Sequence, residues 1–178
     1  MKKIIYLALT LSLACFVLSC ANNKKARNYN DQPQIDAAGL SFIKNGMEAQ
    51  LTAIRISHIA RKASKNPVVI RFAKMMAADH HATMDRFKSI VTDNKLDGYP
   101  DTVSRVHKKT MDSISKFKRV QFDKAYMQFM IKDHEDALRL FNAGAQNKNN
   151  AIQDLAKKTI PTLQMHLDSA KAINKILK

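Results

Sequence analysis

The sequence predicts an all-α protein, an antiparallel four-helix bundle with an additional short helix, on three observations. Beyond residue 35 the apolar residues recur at intervals of three and four, which places them on one face of a helix, and strict alternation is absent. Only four glycines occur in 178 residues and β-branched runs are scarce, which argues against a sheet-rich fold. The periodic segments are four long ones and one short one joined by short links, for which antiparallel packing is the natural solution. With 46% apolar and 25% charged residues the chain is neither disordered nor collagen-like, and its length suits one ordinary domain.

A first helix is expected from about Asp36 to Ser64. One of its stripes holds Phe42, Gly46, Ala49, Ala53, Ile56 and Ala60, and a second holds Met47, Leu51, Ile54 and His58. The small residues permit close helix approach. Asn66-Pro67 is a stop followed by a start, because proline suits the first helical turn and disfavours helix in the residue before it. The second helix, about Pro67 to Thr92, aligns Val69, Phe72, Met76, His80, Met84, Phe87 and Val91. Asp93 to Asp101, with Gly98 and Pro100, reads as a loop. The short basic helix, about Thr102 to Lys116, carries Val103, Val106, Thr110, Met111 and Ile114. A fourth, about Phe122 to Gln146, aligns Phe122, Tyr126, Met130, His134, Leu138, Phe141 and Ala145. The last, about Ala151 to Leu177, has Ile152, Ala156, Ile160, Leu163, Leu167 and Ala170, with an interior Pro161 that should kink it.

The first nineteen residues read as an address. Lys2 and Lys3 precede an apolar or small run from Ile4 to Ser19, shorter than the roughly 20 residues of a bilayer span and arranged like a secretory signal. Val17-Leu18-Ser19-Cys20, followed by Ala21, resembles a bacterial lipobox, in which signal peptidase cuts before the cysteine and the thiol is diacylated. On this reading residues 1–19 are a cleaved signal peptide, and residues 20–35 are the lipidated Cys20 and a flexible polar tether. Residues 36–178 are the bundle domain. Cys15 leaves with the signal, so no free thiol remains and a thiol enzyme is excluded. No finger-type zinc spacing occurs. By resemblance to lipoprotein sorting rules, Ala21 and the lack of an acidic run in the tether place the protein on the periplasmic face of the outer membrane.

Sliding the chain against itself by 54 residues aligns Phe72 with Tyr126, Met76 with Met130, Asp79 with Asp133, His80 with His134, Met84 with Leu138 and Phe87 with Phe141. The Asp-His pairs carry most weight, since any two amphipathic helices share apolar spacing. At about 100° per residue the histidines fall on the apolar stripes and the aspartates at their edges. The segments FAKMMAADHHATM, FDKAYMQFMIKDHEDALRLF and TIPTLQMHL, in that order, resemble the bacterial family known as domain of unknown function 4142, outer-membrane lipoproteins with a ferritin-like fold. The resemblance spans about Asp36 to Ile176. It implies a ferritin-like four-helix architecture and an envelope location, and no biochemical activity.

Ferritin-like bundles build metal centres from inward-facing carboxylates and histidines. The candidate ligands here are Glu48, His80, His134 and His166, with Asp79 and Asp133 as ligands or as partners that fix the imidazole tautomers. The Glu-x-x-His pairs of a di-iron site are absent, because Ala82 follows Asp79 by three residues and Asp136 follows Asp133 by three. Met76, His80 and Met84 share one face and Met130 with His134 repeats half of it, a donor set favouring copper(I) over iron. The plainer reading is that methionine fills core gaps, with His80 and His134 as buried imidazoles hydrogen-bonded to carboxylates. His81 and His107 are expected at the surface and His58 at a cap or surface. No phosphate loop, nucleophile elbow or His-Glu-x-x-His motif is present, so no catalytic constellation is complete.

The formal charge is +15, and loss of the signal's two lysines leaves +13. Such a charge favours polyanions. A basic recognition helix with interleaved aromatics is missing, so nucleic acid is not the expected partner. Lys24, Lys25 and Arg27 lie beside the anchor, where each basic residue adds about 1 kcal/mol at an anionic surface. Lys108, Lys109, Lys116, Lys118 and Arg119 form a second cluster suited to anionic envelope polymers or lipid. The sequence therefore points first to a non-catalytic, membrane-anchored interaction or stress-related module, its protein partner unidentified. The alternative is a copper- or iron-binding or redox protein using the Asp-His repeat.

Overall fold

Five helices account for nearly all of the described chain, and most start where a short polar side chain stands ready to cap them. The structure is a computed structural model that describes residues 34–177; the expected signal, Cys20 and the expected tether as far as Pro33 lie outside those residues. Helix α1 spans Ala37–Ala63, α2 Pro67–Asp93, α3 Arg105–Ser115, α4 Arg119–Gly144 and α5 Asn150–Ile176. Asp36 accepts from the amide of Gly39 at 2.7 Å, Asn66 from Val68 at 2.9 Å, and Asn149 from Ala151 and Ile152 at 3.0 and 3.3 Å. Each satisfies amides that the first helical turn leaves without an internal partner.

Two boundaries differ from expectation. Helix α3 begins at Arg105 rather than Thr102, because Ser104 caps it by accepting from the His107 amide at 3.2 Å. Helix α4 begins at Arg119, ahead of Phe122, with Lys118 at its cap and no side-chain cap bond, so no polar signal marks that start. Helix α5 continues through Pro161 as one helix. Proline removes a bond to the Lys157 carbonyl, but both residues lie on the exposed face, where water can serve that carbonyl.

Helix α1 packs on α2 and α4, and α5 packs on α4 and α2, so α2 and α4 face each other diagonally across the interior. Their residue numbers rise together along the contact. Phe72 meets Tyr126 at 6.2 Å between ring centroids, and Phe87 meets Phe141 at 6.0 Å. The diagonal helices are therefore parallel and every adjacent pair is antiparallel. Helix α2 has 27 residues, about 40 Å at 1.5 Å per residue, and the link from Asn94 to Lys118 must return along that length. This is the single long crossover of a ferritin-like bundle, with α3 as its middle portion. The 54-residue repeat thus sets equivalent residues of two parallel helices against one another.

The core falls into two apolar clusters. One gathers Ile56, Phe72, Met76, Phe122, Tyr126 and Met130, sealed by Met111 and Ile114 of α3; the other gathers Phe42, Met84, Phe87, Phe141, Ile152 and Leu163. Val106, expected on the packed face of α3, is 71% exposed, so Met111 and Ile114 supply that helix's burial. In the second cluster Phe42 sits 5.5 Å from Phe87 and 5.2 Å from Phe141, and two glycines make room for the rings. A Cβ on Gly46 would lie 2.3 Å from a ring carbon of Phe87, and one on Gly144 2.5 Å from a ring carbon of Phe42. Among the described residues no helix is long and apolar enough to cross a membrane.

Because rigid rings occupy the space at both glycines, Gly46→Ala and Gly144→Ala are each expected to lower stability by about 1–3 kcal/mol, despite alanine's better helix propensity. Urea denaturation checks this, and a neutral or stabilising result at both positions would show that the rings repack freely.

Candidate metal centre

Between the two apolar clusters lies one buried polar layer, and each long helix contributes a residue to it: Gln50 from α1, His80 from α2, His134 from α4 and His166 from α5. The inward stripe of α2 places His80 between Met76 and Met84. The stripe of α4 places His134 opposite it, since the repeat aligns the two helices. The three imidazoles form a nearly equilateral triangle, with ring centroids 5.3, 5.5 and 5.4 Å apart. One ring nitrogen from each lies within 4.8 Å of the other two.

Their outward hydrogen bonds set the tautomers. His134 Nδ1 lies 2.8 Å from the Met130 carbonyl, which only accepts, so Nδ1 carries the proton and Nε2 a lone pair. His166 Nε2 lies 2.9 Å from Asp79 Oδ2 and donates to that carboxylate. This leaves His166 Nδ1 as a lone pair, and it is buried without a hydrogen-bond partner. His80 Nδ1 lies 2.7 Å from Gln50 Oε1, and with that oxygen as acceptor its Nε2 is also a lone pair. His80 Nε2 and His134 Nε2 are 3.3 Å apart. Two ligands at about 2.05 Å from one metal ion, at a tetrahedral angle, would be about 3.4 Å apart.

Burial keeps the imidazoles neutral. It drives His80 well below the ordinary histidine value, helped by His134 and His166. It takes His134 down to about 4, against the pull of the Met130 carbonyl. His166 is lowered as well, with Asp79 opposing. Neutral imidazole is the metal-binding form.

The other sequence candidates fall elsewhere. Asp79 joins the centre through His166 on a neighbouring helix rather than through His80 beside it in sequence. Its carboxylate opens onto a cavity of about 150 Å³ lined by Thr83, Arg86, Lys158, Thr159 and Thr162. Asp133 lies 3.9 Å from His134 Nδ1, beyond hydrogen-bond range, and burial pushes its carboxyl up to about 7. The expectation that carboxylates hold His80 and His134 is therefore corrected: an amide and a backbone carbonyl hold them. Met76 and Met130 are fully buried in the apolar cluster on one side of the layer.

Glu48 does not belong to the cluster. It faces the crossover, accepting from the Ser104 amide at 2.8 Å, from His107 Nδ1 at 2.8 Å and from Thr52 Oγ1 at 3.2 Å. His107 is thereby half-buried rather than at the surface, while His58 and His81 are exposed. Gln50 went unnoticed in the sequence. Its signal was a polar residue four positions from both Gly46 and Ile54 on an inward face.

The family model described as Domain of unknown function (DUF4142) matches residues 24–173. Among solved structures, the chain is similar to the crystal structure of a DUF305 fragment from Deinococcus radiodurans. The TM-score is 0.73 at 12% identity, covering 80% of this chain and 99% of that one, and at such identity the likeness concerns the fold alone. No curated protein matches the chain significantly.

Opposed titrations follow from these environments. His107 is raised by its bond to Glu48, so its contribution is complete below its unfolded value of 6.5 and fades as pH climbs through the raised one. Glu48 is lowered to about 2 by its hydrogen bonds to His107 and Ser104, against the effect of burial, so its contribution holds above 4.5 and fades toward pH 2. The three buried imidazoles take up protons more readily in the unfolded chain, so stability should drop as pH falls from 6.5 toward 4. Asp133, pushed up to about 7, and the raised His107 gain stability over the same range, so the test takes Asp133→Asn/His107→Gln as its background. Urea midpoints of that variant in chelating buffer should be lower at pH 5 than at pH 7.5, and equal midpoints would contradict neutral buried imidazoles. Glu48→Gln should cost about 1 kcal/mol near pH 6, and less above the raised His107 value.

Proposed function

This chain belongs to the DUF4142 family, and on its bundle we propose a membrane-anchored, periplasm-facing copper-binding lipoprotein. A single copper(I) ion is held by His80 Nε2, His134 Nε2 and His166 Nδ1. The observation that carries this reading is three buried imidazoles from three helices, one nitrogen of each within 4.8 Å of the other two, with the opposite nitrogen of each ring held from outside the triangle by Gln50, the Met130 carbonyl or Asp79. With the Gln50 oxygen toward His80, all three inner nitrogens are acceptors without a donor among them, which is unfavourable until a cation completes them. Outer hydrogen bonds that fix tautomer and ring orientation are also the usual support of metal-binding histidines.

The donor set favours copper(I) over the alternatives. No carboxylate oxygen is among the converging atoms, which argues against iron centres that need bridging carboxylates. Desolvation rises with the square of the charge, so a singly charged ion enters a buried neutral site at lower cost than zinc(II). Met76 and Met130 stand one turn before His80 and His134, and thioethers are soft donors. The carboxyls beside the centre, Asp79 and Asp133, stand behind the rings of His166 and His134 rather than among the converging nitrogens, so the role is carriage or buffering of the ion rather than catalysis. The lipobox ending at Cys20 and the polar stretch after it support attachment to the outer membrane. The positive charge close to the anchor suits anionic lipid or envelope polymers.

Anaerobic titration with copper(I) against a chromogenic chelator should give one ion per chain. His80→Ala/His134→Ala should lower the affinity by a factor on the order of 100 or more, and Asp79→Asn, which loses the anionic support of His166, by about 10–100-fold. Substoichiometric binding unchanged by the double substitution would overturn the metal reading, and a preference for zinc would overturn copper. For the anchor, mass spectrometry of envelope material should find Cys20 acylated; an unmodified thiol there would overturn the membrane attachment.

A further inference from the structure

Resting on the copper reading, we infer that Gln50 is a positioning residue whose carboxamide turns over between the metal-free and loaded protein and thereby selects the tautomer of His80. The 2.7 Å contact between Gln50 and His80 Nδ1 serves either orientation, because an amide has nearly the same shape both ways round. With the oxygen inward, His80 Nδ1 is protonated and Nε2 faces the Nε2 of His134 at 3.3 Å as a second acceptor. The amide nitrogen of Gln50 is then buried without a partner. That state suits a cation and leaves a protein without one poorly satisfied.

With the nitrogen inward, Gln50 donates to His80 Nδ1 and the ring proton resides on Nε2. From there it donates to His134 Nε2, which must accept because the Met130 carbonyl holds the proton of that ring on Nδ1. The Gln50 oxygen, one amide hydrogen and His166 Nδ1 are then left over, whereas with the oxygen inward both amide hydrogens and all three inner ring nitrogens go without a partner. The metal-free site therefore favours nitrogen inward and the loaded site oxygen inward. On loading, one proton leaves Nε2 and one arrives at Nδ1, so His80 releases no net proton.

Nitrogen-15 NMR of the histidine rings tests this in the folded lipid-free chain, since copper(I) is diamagnetic. Metal-free wild type should carry the His80 proton on Nε2, and the copper(I)-loaded protein on Nδ1. Gln50→Glu supplies only acceptors while ionised, so its His80 should be protonated on Nδ1 even without metal, with copper(I) affinity about tenfold higher. A proton on His80 Nδ1 in metal-free wild type would overturn the inference whether or not copper binds. Should copper not bind, Nε2 protonation in metal-free wild type and Nδ1 protonation in metal-free Gln50→Glu would still support the tautomer control. If Gln50→Glu fails to fold, wild type with and without copper(I) decides, an unchanged tautomer counting against the switch.

Discussion

The layer of Gln50, His80, His134 and His166 is the constraint on which the rest of the bundle depends. Four polar side chains are buried in the middle of a helical core, where each unmet hydrogen-bonding group costs on the order of 1–3 kcal/mol. They are tolerated only in a register that aligns all four. Sliding any one long helix by a turn would separate His80 from Gln50, His134 from His80 or His166 from Asp79. Apolar contacts, being non-directional, are far more forgiving of such a slip. The layer thus acts as a register key, a role buried polar groups are known to play in helical assemblies.

The two apolar clusters on either side hold this layer in place. On one side Tyr126 is fully buried and its hydroxyl pairs with Ser57 at 3.1 Å, so the cluster remains satisfied where it turns polar. On the other, Phe42, Phe87 and Phe141 interlock through tilted and edge-on ring contacts that only glycine at positions 46 and 144 admits. The crossover is fastened separately. Glu48 gathers donors from Ser104, His107 and Thr52, pinning the start of α3 to α1 while Met111 and Ile114 plug the core beneath. A carboxylate that looked like a ligand is thus structural. Its position on α1 turns it toward the crossover, whereas Gln50, two residues on, turns inward.

Much of the fold was legible because it rests on local physics. The period of the apolar residues located all five helices, Pro67 marked the start of α2, and the Asp-His repeat singled out His80 and His134. The start of α4 was missed since Lys118 gives no capping signal, and the burial of His107 was missed since its partner Glu48 is distant in sequence. The sequence pattern also gave Asp79 and Asp133 matching roles that the structure separates. Asp79 reaches α5 to hold His166, and Asp133 makes no such bond to His134.

What the sequence determined by itself was helical period, segment length and the matched order of residues along α2 and α4, because these depend on neighbours three or four positions apart. Which helices became diagonal, and hence which histidines met, was decided by the tertiary structure. The crossover from Asn94 to Lys118 makes α2 and α4 parallel across the interior. That arrangement brings His166 and Gln50 to the same level from the two remaining helices. The choice of tautomer at His80 and His166 belongs there too, because it depends on partners that only packing delivers: an amide on α1 and a carboxylate on α2 held against a ring on α5.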